Sequence, residues 1–245
     1  MFIAGNWKMN GTVAEAQALA RALVDGLPEG APTTAIFPPA LHLTAVGDVI
    51  KDSPIFMGGQ DCSGAPNGAH TGDLSVAMLA DIGARGVIVG HSERRTDHGE
   101  TNAEILAKVE AGMAAGLGVV LCVGETLDER ESGEAENVVR TQLEECLPVS
   151  FESGSVVIAY EPVWAIGTGK VATVDDISAM HSMIRGWLRE NRPAIGETFI
   201  LYGGSVKASN AADVFGADHV GGALVGGASL KSDDFLGIIA AAMKG

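Results

Sequence analysis

The chain has 245 residues, of which 47% are hydrophobic and 19% charged, enough apolar material for a sizeable core and too much for a disordered chain. Its 33 glycines are scattered, which excludes a collagen-like or low-complexity protein. The 31 acidic residues outnumber the 16 basic ones and give a net charge of -15, so neither nucleic acid nor an anionic membrane is expected as a partner.

Short apolar runs alternate with longer segments of helical period along the chain. The runs predict strands at 2–7, 33–37, 55–60, 86–90, 117–123, 155–160, 198–202 and 219–225. The longer segments predict helices near 13–27, 40–51, 75–82, 102–115, 135–147, 174–189, 208–215 and 233–243. Residues suited to helix ends are Thr12, Asp73, Thr101, Thr173 and Ser232 as N-caps and Gly116 at a C-terminus.

Most strand runs are apolar at nearly every position, which is typical of parallel strands covered on both faces. Eight βα units without a linker predict an α/β fold, a closed (β/α)8 barrel that forms one domain over residues 1–245. The alternative is an open doubly wound sheet, which would need a dinucleotide fingerprint or two halves, and neither is visible. In a barrel, the chemistry is expected at the C-terminal ends of the strands.

The first strand ends in Asn6, Trp7 and Lys8, and strand alternation places Asn6 and Lys8 on the same side. An acidic protein needs a local cation to capture an anionic substrate, and Lys8 at the barrel mouth could supply it. The alternative is a solvated lysine.

The fourth strand is followed by residues 90–95, G-H-S-E-R-R. At a strand end His91 can act as an acid, a base or an electrophile, although a structural histidine remains the alternative. The segment half-matches the G-x-S-x-G nucleophile elbow, but Arg94 replaces the last glycine, so Ser92 is not expected to be a nucleophile. No ligand spacing predicts a metal site.

The sixth strand ends at Glu161, and a loop with both bulky apolar and small residues follows it, as a mobile lid requires. The loop consists of Pro162, Val163, Trp164, Ala165, Ile166, Gly167, Thr168, Gly169 and Lys170. A carboxylate under such a lid would be desolvated and therefore more basic; the alternative is a structural ion pair. The loop fails the Walker pattern because Trp164 stands at the first glycine position.

Glycine pairs follow strands seven and eight, at Gly203 and Gly204 and at Gly226 and Gly227. This is where a barrel binds phosphate, because backbone amides must approach the anion without a side chain in the way. The alternative is two tight turns.

The three cysteines, Cys62, Cys122 and Cys146, show neither a disulfide nor a zinc pattern and suit a reducing compartment. Cys122, at the end of strand five, is expected in the core rather than as a redox sensor. The N-terminus does not read as a signal peptide and no apolar run reaches transmembrane length, so a soluble cytoplasmic protein is expected.

Together these segments resemble the triosephosphate isomerase family, of the TIM barrel fold, over nearly the whole chain. The matching segments are 5–10, 90–95, 159–169, 202–206 and 224–230. The resemblance implies an intramolecular aldose–ketose isomerase of glycolysis and gluconeogenesis, which interconverts dihydroxyacetone phosphate and D-glyceraldehyde 3-phosphate without a cofactor or metal.

The resemblance also implies roles for single residues. Glu161 would move the proton between the carbons, and neutral His91 would polarise the carbonyl and transfer protons between the oxygens. Lys8 would stabilise the enediolate, and Asn6 would bind substrate oxygens. The amides of four residues would hold the phosphate: Gly167, Ser205, Gly226 and Gly227. The supporting residues would be Glu93, Tyr202, Ile166 and Leu224.

The family is dimeric, and residues 60–73 resemble its interface loop, so a homodimer is expected in which Thr71 reaches the partner's site. The sequence departs from the family pattern at four positions: Asp61, His70, Asp73 and Gly221. The departures affect interface packing, including a possible pair between Asp73 and Arg94.

Two other functions stay open at this point. Another phosphosugar isomerase or an aldolase could use the same barrel, although an aldolase needs a Schiff-base lysine deep in a strand. A non-catalytic barrel that binds phosphate ligands would be expected to lack Glu161, His91 or Lys8.

Overall fold

The computed structural model describes residues 1–150, 155–165 and 172–244. Its strands are β1 Phe2–Asn6, β2 Thr33–Phe37, β3 Phe56–Gly59, β4 Gly86–Val89, β5 Gly118–Val123, β6 Ser155–Tyr160, β7 Ile200–Tyr202 and β8 Gly222–Val225. Each strand runs parallel to the next and β8 pairs with β1, so the sheet closes into a barrel. The predicted (β/α)8 barrel is confirmed.

Helices connect successive strands and surround the barrel. They are α1 Val13–Gly26, α2 Leu43–Ile50, α3 Val76–Asp81, α4 Ser92–Asp97, α5 Asn102–Ala114, α6 Leu127–Glu131, α7 Ala135–Cys146, α8 Val174–Asn191, α9 Ala211–Phe215 and α10 Ser232–Ala242. The larger apolar core lies between helices and strands, and a smaller one, with Ala4, Phe37, Ile88 and Leu201, fills the barrel. Within the described residues, no helix is long and apolar enough to cross a membrane.

Most predicted helix ends are correct. Thr12, Thr101 and Thr173 each form a capping box, and Gly116, with a φ of 74°, closes α5. Two predicted caps are wrong. Ser75 caps α3, because the backbone of Asp73 is still held in a turn with His70. Ser232 is the first residue of α10, since that helix begins one residue earlier than predicted.

Several element boundaries differ from the prediction. β1 ends at Asn6 and β4 at Val89, so Lys8 and His91 lie in the loops beyond their strands. β8 begins only at Gly222, because His219 has a φ of 61° that no extended strand accommodates. The short helices α4 and α6 were not predicted, since five or six mostly polar residues show no apolar period.

Candidate active site

A cavity of about 690 Å³ lies at the C-terminal ends of the barrel strands. Its lining brings together eight of the residues that the sequence singled out: Asn6, Lys8, His91, Glu161, Ser205, Leu224, Gly226 and Gly227. Asn6 ends β1 and Leu224 lies in β8, whereas the other six residues follow β1, β4, β6, β7 or β8. These segments lie close together because the barrel is closed. The cavity therefore combines ionisable side chains with glycine-rich backbone.

The backbone of Glu161 is fixed from both sides. Its amide donates to the carbonyl of Val123 at 2.7 Å, and the amide of Gly203 donates to the carbonyl of Tyr160 at 2.7 Å. A Cβ atom at Gly124 would lie 1.7 Å from the carbonyl oxygen of Glu161. Glycine at position 124 is thus required for Glu161 to lie where it does.

The carboxylate of Glu161 is buried, with 2% of the residue exposed. Its Oε1 lies 3.0 Å from Nε2 of His91, and its Oε2 accepts the amide of Ser92 at 3.0 Å. The amide of Glu93 donates to Nδ1 of His91 at 3.2 Å, so that nitrogen carries no hydrogen. The hydrogen of the neutral imidazole is therefore on Nε2, which faces Glu161 and the cavity.

These contacts set the protonation of both side chains. Burial raises the pKa of Glu161, but His91, the Ser92 amide and the charge of Lys8 together lower it below its ordinary value of 4.5. The expectation of a more basic carboxylate is therefore wrong for this arrangement, because the partners outweigh desolvation. Burial lowers the pKa of His91 while Glu161 raises it, and the net pKa lies above 6.5.

Lys8 is held at the cavity by several contacts. Its Nζ lies 2.5 Å from Oε1 of Glu93, and its amide donates to Oδ1 of Asn6 at 3.0 Å. Its backbone adopts a φ of 52°, a conformation that is strained for a residue with a side chain. The side chain of Gln60 donates to the carbonyl of Lys8 at 2.9 Å and helps to hold this conformation.

The glycine pairs after β7 and β8 line the same cavity. Gly226 precedes a 3-10 helix at Gly227–Leu230, whose first amides have no partner within the helix and suit an anion. The Ser205 hydroxyl donates to the carbonyl of Ala165 at 3.3 Å, which connects this loop to the predicted lid. A Cβ at Gly203 would lie 2.8 Å from Cγ of Glu161.

The described start of the lid is anchored by Glu125, a residue that the sequence analysis missed. Its Oε1 accepts the indole Nε1–H of Trp164 at 2.8 Å and the hydroxyl of Tyr160 at 3.0 Å, and Arg130 stacks over Trp164. Glu125 comes two residues after β5, so the strand-end rule could have found it. Five predicted lid residues lie outside the described residues: Ile166, Gly167, Thr168, Gly169 and Lys170.

Predicted interface residues lie beside an ion cluster. Thr71, Asp73 and His70 are exposed in the loop after β3. Within the described part of one chain, Arg94 binds Asp61 at 2.9 Å and Glu100 at 2.5 Å and makes no pair with Asp73. Lys108 binds the same two carboxylates. The negative charge of Asp61, which an asparagine would lack, therefore has two cationic partners.

Other residues singled out from the sequence lie in the core. Cys62, Cys122 and Cys146 are buried free thiols, and Cys122 packs inside the barrel as predicted. Tyr202 is buried, and its hydroxyl has no hydrogen-bond partner among the described residues. The amide of Gly221 donates to the carbonyl of Ile200 just before β8.

Comparisons with known proteins agree on one family. The sequence model of triosephosphate isomerase matches residues 1–242. The triosephosphate isomerase of Caulobacter vibrioides is 53% identical, over 98% of this chain and 95% of the relative, and that of Acidiphilium cryptum is 52% identical, over 99% and 98%. The crystal structure of triosephosphate isomerase from Bartonella henselae superposes with a TM-score of 0.90 at 44% identity, over 98% of each chain.

Proposed function

The chain belongs to the triosephosphate isomerase family and interconverts dihydroxyacetone phosphate and D-glyceraldehyde 3-phosphate, an isomerase reaction of glycolysis; on that premise, we propose that Glu161, His91, Lys8 and Asn6 carry the reaction. One observation supports this assignment above the others: the buried contact of 3.0 Å between Glu161 and His91 opens onto a cavity that Lys8 also lines. The names of the relatives do not favour an aldolase or a non-catalytic barrel.

In the proposed mechanism, substrate displaces the contact between Glu161 and His91. The freed carboxylate removes a proton from the carbon next to the carbonyl and returns it to the neighbouring carbon. Once Glu161 leaves His91 and the Ser92 amide, burial is its dominant influence and raises its pKa, which makes it a better base. The neutral imidazole donates its Nε2 hydrogen to the carbonyl oxygen and takes up the hydrogen of the neighbouring hydroxyl group, so that one proton moves between the two oxygens. Lys8 stabilises the negative charge that develops on these oxygens.

The phosphate is proposed to bind at the amides of Ser205, Gly226, Gly227 and Gly167. Because an exposed enediolate would lose its phosphate group, the reaction needs a site closed to water. The lid that begins at Pro162 would provide this closure, with Ile166 and Leu224 pressing on Glu161. Glu93, which binds Lys8 and orients His91, and Tyr202 would support the site.

The decisive experiment replaces the base. Glu161→Gln keeps the shape of the side chain but removes its charge, so kcat should fall at least about 100-fold in a coupled assay with glyceraldehyde 3-phosphate. Glu110→Gln, an exposed change on α5, is the matched control and should keep the wild-type kcat. Near-wild-type turnover by Glu161→Gln would remove Glu161 from the mechanism.

We also propose that residues 1–245 form one domain and that the protein is a cytoplasmic homodimer. Met9 and Leu41 are 94% and 89% exposed, unusually so for large apolar side chains. Next to Met9, a cavity of about 470 Å³ borders Lys8 and His91 and could receive Thr71 of a second copy. Thr71→Arg should halve the mass seen by light scattering; an unchanged dimer would argue against this interface.

A further inference from the structure

The active-site cavity contains two cations that the mechanism above does not use. The structure describes six lysines, Lys8, Lys51, Lys108, Lys207, Lys231 and Lys244, and three of them line this cavity: Lys8, Lys207 and Lys231. The chain as a whole carries 31 acidic and 16 basic residues. The charge of the cavity rim therefore runs opposite to that of the whole protein.

The two extra lysines differ from Lys8 in being unpaired. Lys8 is bound to Glu93, whereas the ammonium groups of Lys207 and Lys231 have no hydrogen bond or ion pair among the described residues. Both side chains are exposed. Two carboxylates, those of Glu161 and Asp234, line the same cavity, so the three lysines outnumber them.

Their backbones place them beside the glycine loops. Lys207 lies two residues after Ser205, and its amide donates to Oδ1 of Asn210 at 2.8 Å. Lys231 directly follows the 3-10 helix Gly227–Leu230 and precedes α10. Each of the two glycine loops is thus followed by an unpaired cation.

We propose that Lys207 and Lys231 form an electrostatic pair that draws the substrate's phosphate dianion into the cavity against the negative charge of the protein. The proposal rests on the proposed function, because it assigns these lysines to capture of the same substrate. Free charges at the mouth of a cleft raise the association rate by roughly 10- to 1000-fold, and salt screens the effect. The pair acts before chemistry, so it governs kcat/KM and leaves kcat unchanged.

The test measures kcat/KM against ionic strength for Lys207→Met, Lys231→Met and the double variant. At low salt the double variant should lose roughly tenfold in kcat/KM, with kcat within about twofold of wild type. The loss should shrink as ionic strength rises, and arginine at both positions should restore the wild-type value. Lys51→Met, which removes an exposed lysine at the end of α2, is the matched control and should change neither constant.

Three results would overturn the proposal: an unchanged kcat/KM, a loss that does not depend on salt, or a loss confined to kcat. Binding of inorganic phosphate, measured by calorimetry, separates this proposal from the proposed function. If the wild-type protein fails to isomerise triose phosphates but the double variant binds phosphate more weakly, the function fails and the lysine pair stands. If phosphate binds equally well to both proteins, the lysine pair fails.

Discussion

Nε2 of His91 and Oε1 of Glu161 lie 3.0 Å apart, and both side chains are almost completely buried. Each group changes the protonation of the other: the carboxylate raises the pKa of His91, and the imidazole lowers the pKa of Glu161. The amide of Glu93, which donates to Nδ1, fixes the ring so that this coupling acts through Nε2 alone.

The coupling predicts how His91 titrates when its partner loses its charge. In Glu161→Gln, burial and Lys8 still lower the pKa of His91, the raising influence of the Glu161 charge is gone, and only the smaller raising influence of Glu93 remains. The midpoint should move from above 6.5 in the wild-type protein to below 6.5 in the variant, as followed by NMR of the labelled imidazole. An unchanged midpoint would show that Glu161 does not control this histidine.

The hydrogen bond between Tyr160 and Glu125 at the start of the lid predicts that removing a tyrosine hydroxyl costs more stability at Tyr160 than at Tyr202. Tyr160 donates to the buried carboxylate of Glu125, so Tyr160→Phe should lower the free energy of unfolding by about 1.5–3 kcal/mol. The hydroxyl of Tyr202 has no partner among the described residues, so Tyr202→Phe should cost less than about 0.5 kcal/mol. Urea denaturation at one protein concentration compares them, and equal losses would contradict the assignment.

Much of the site could be predicted because the end of each barrel strand is visible in the sequence as the end of an apolar run. A run of apolar residues that stops at Asn6, Glu161 or Gly203 predicts a residue at the mouth, whatever the rest of the fold. The pairing of His91 with Glu161 could not be predicted, because it depends on how β4, β5 and β6 are staggered around the barrel. That stagger is a property of the closed sheet, and no local pattern encodes it.

The partners of charged side chains and the direction of their pKa shifts could not be predicted from the sequence either. Asp61 looked like a simple departure from the family pattern, yet it binds Arg94 and Lys108, the latter 47 residues away along the chain. The net pKa of Glu161 depends on the balance between burial and its partners, and the sequence indicated only the burial. Sequence patterns therefore located the groups but left their electrostatics open.

A buried histidine behind the lid predicts how stability depends on pH. His181 packs edge-on against Tyr160, and burial lowers its pKa from 6.5 to about 4. The unfolded chain therefore binds a proton at this residue at a higher pH than the folded protein does. The stabilisation is complete above about pH 6.5 and is lost as the pH falls towards 4, by about 2 kcal/mol between pH 7 and pH 5.

His181→Asn should remove this part of the pH dependence, because its amide does not titrate and can still donate to the carbonyl of His219. The measurement is the difference in unfolding free energy between pH 7 and pH 5, which should be about 2 kcal/mol smaller than in the wild-type protein. His98→Asn, at an exposed position, should leave the difference unchanged. A variant at His181 with the full wild-type slope would assign the acid sensitivity to other groups.

The close approach of Gly124 to Glu161 predicts that a methyl group added at position 124 lowers kcat. A Cβ at position 124 would lie 1.7 Å from the carbonyl oxygen of Glu161, so in Gly124→Ala the end of β6 must shift and carry the carboxylate with it. A displacement of about 1 Å costs roughly 100-fold in rate, and kcat should fall by that order.

Gly186→Ala is the matched control, since position 186 is exposed within α8 with nothing close to an added Cβ. It should keep full activity and gain about 0.5–1 kcal/mol of stability from helix propensity. If Gly124→Ala folds and turns over like the wild-type protein, the position of Glu161 is not set by this contact.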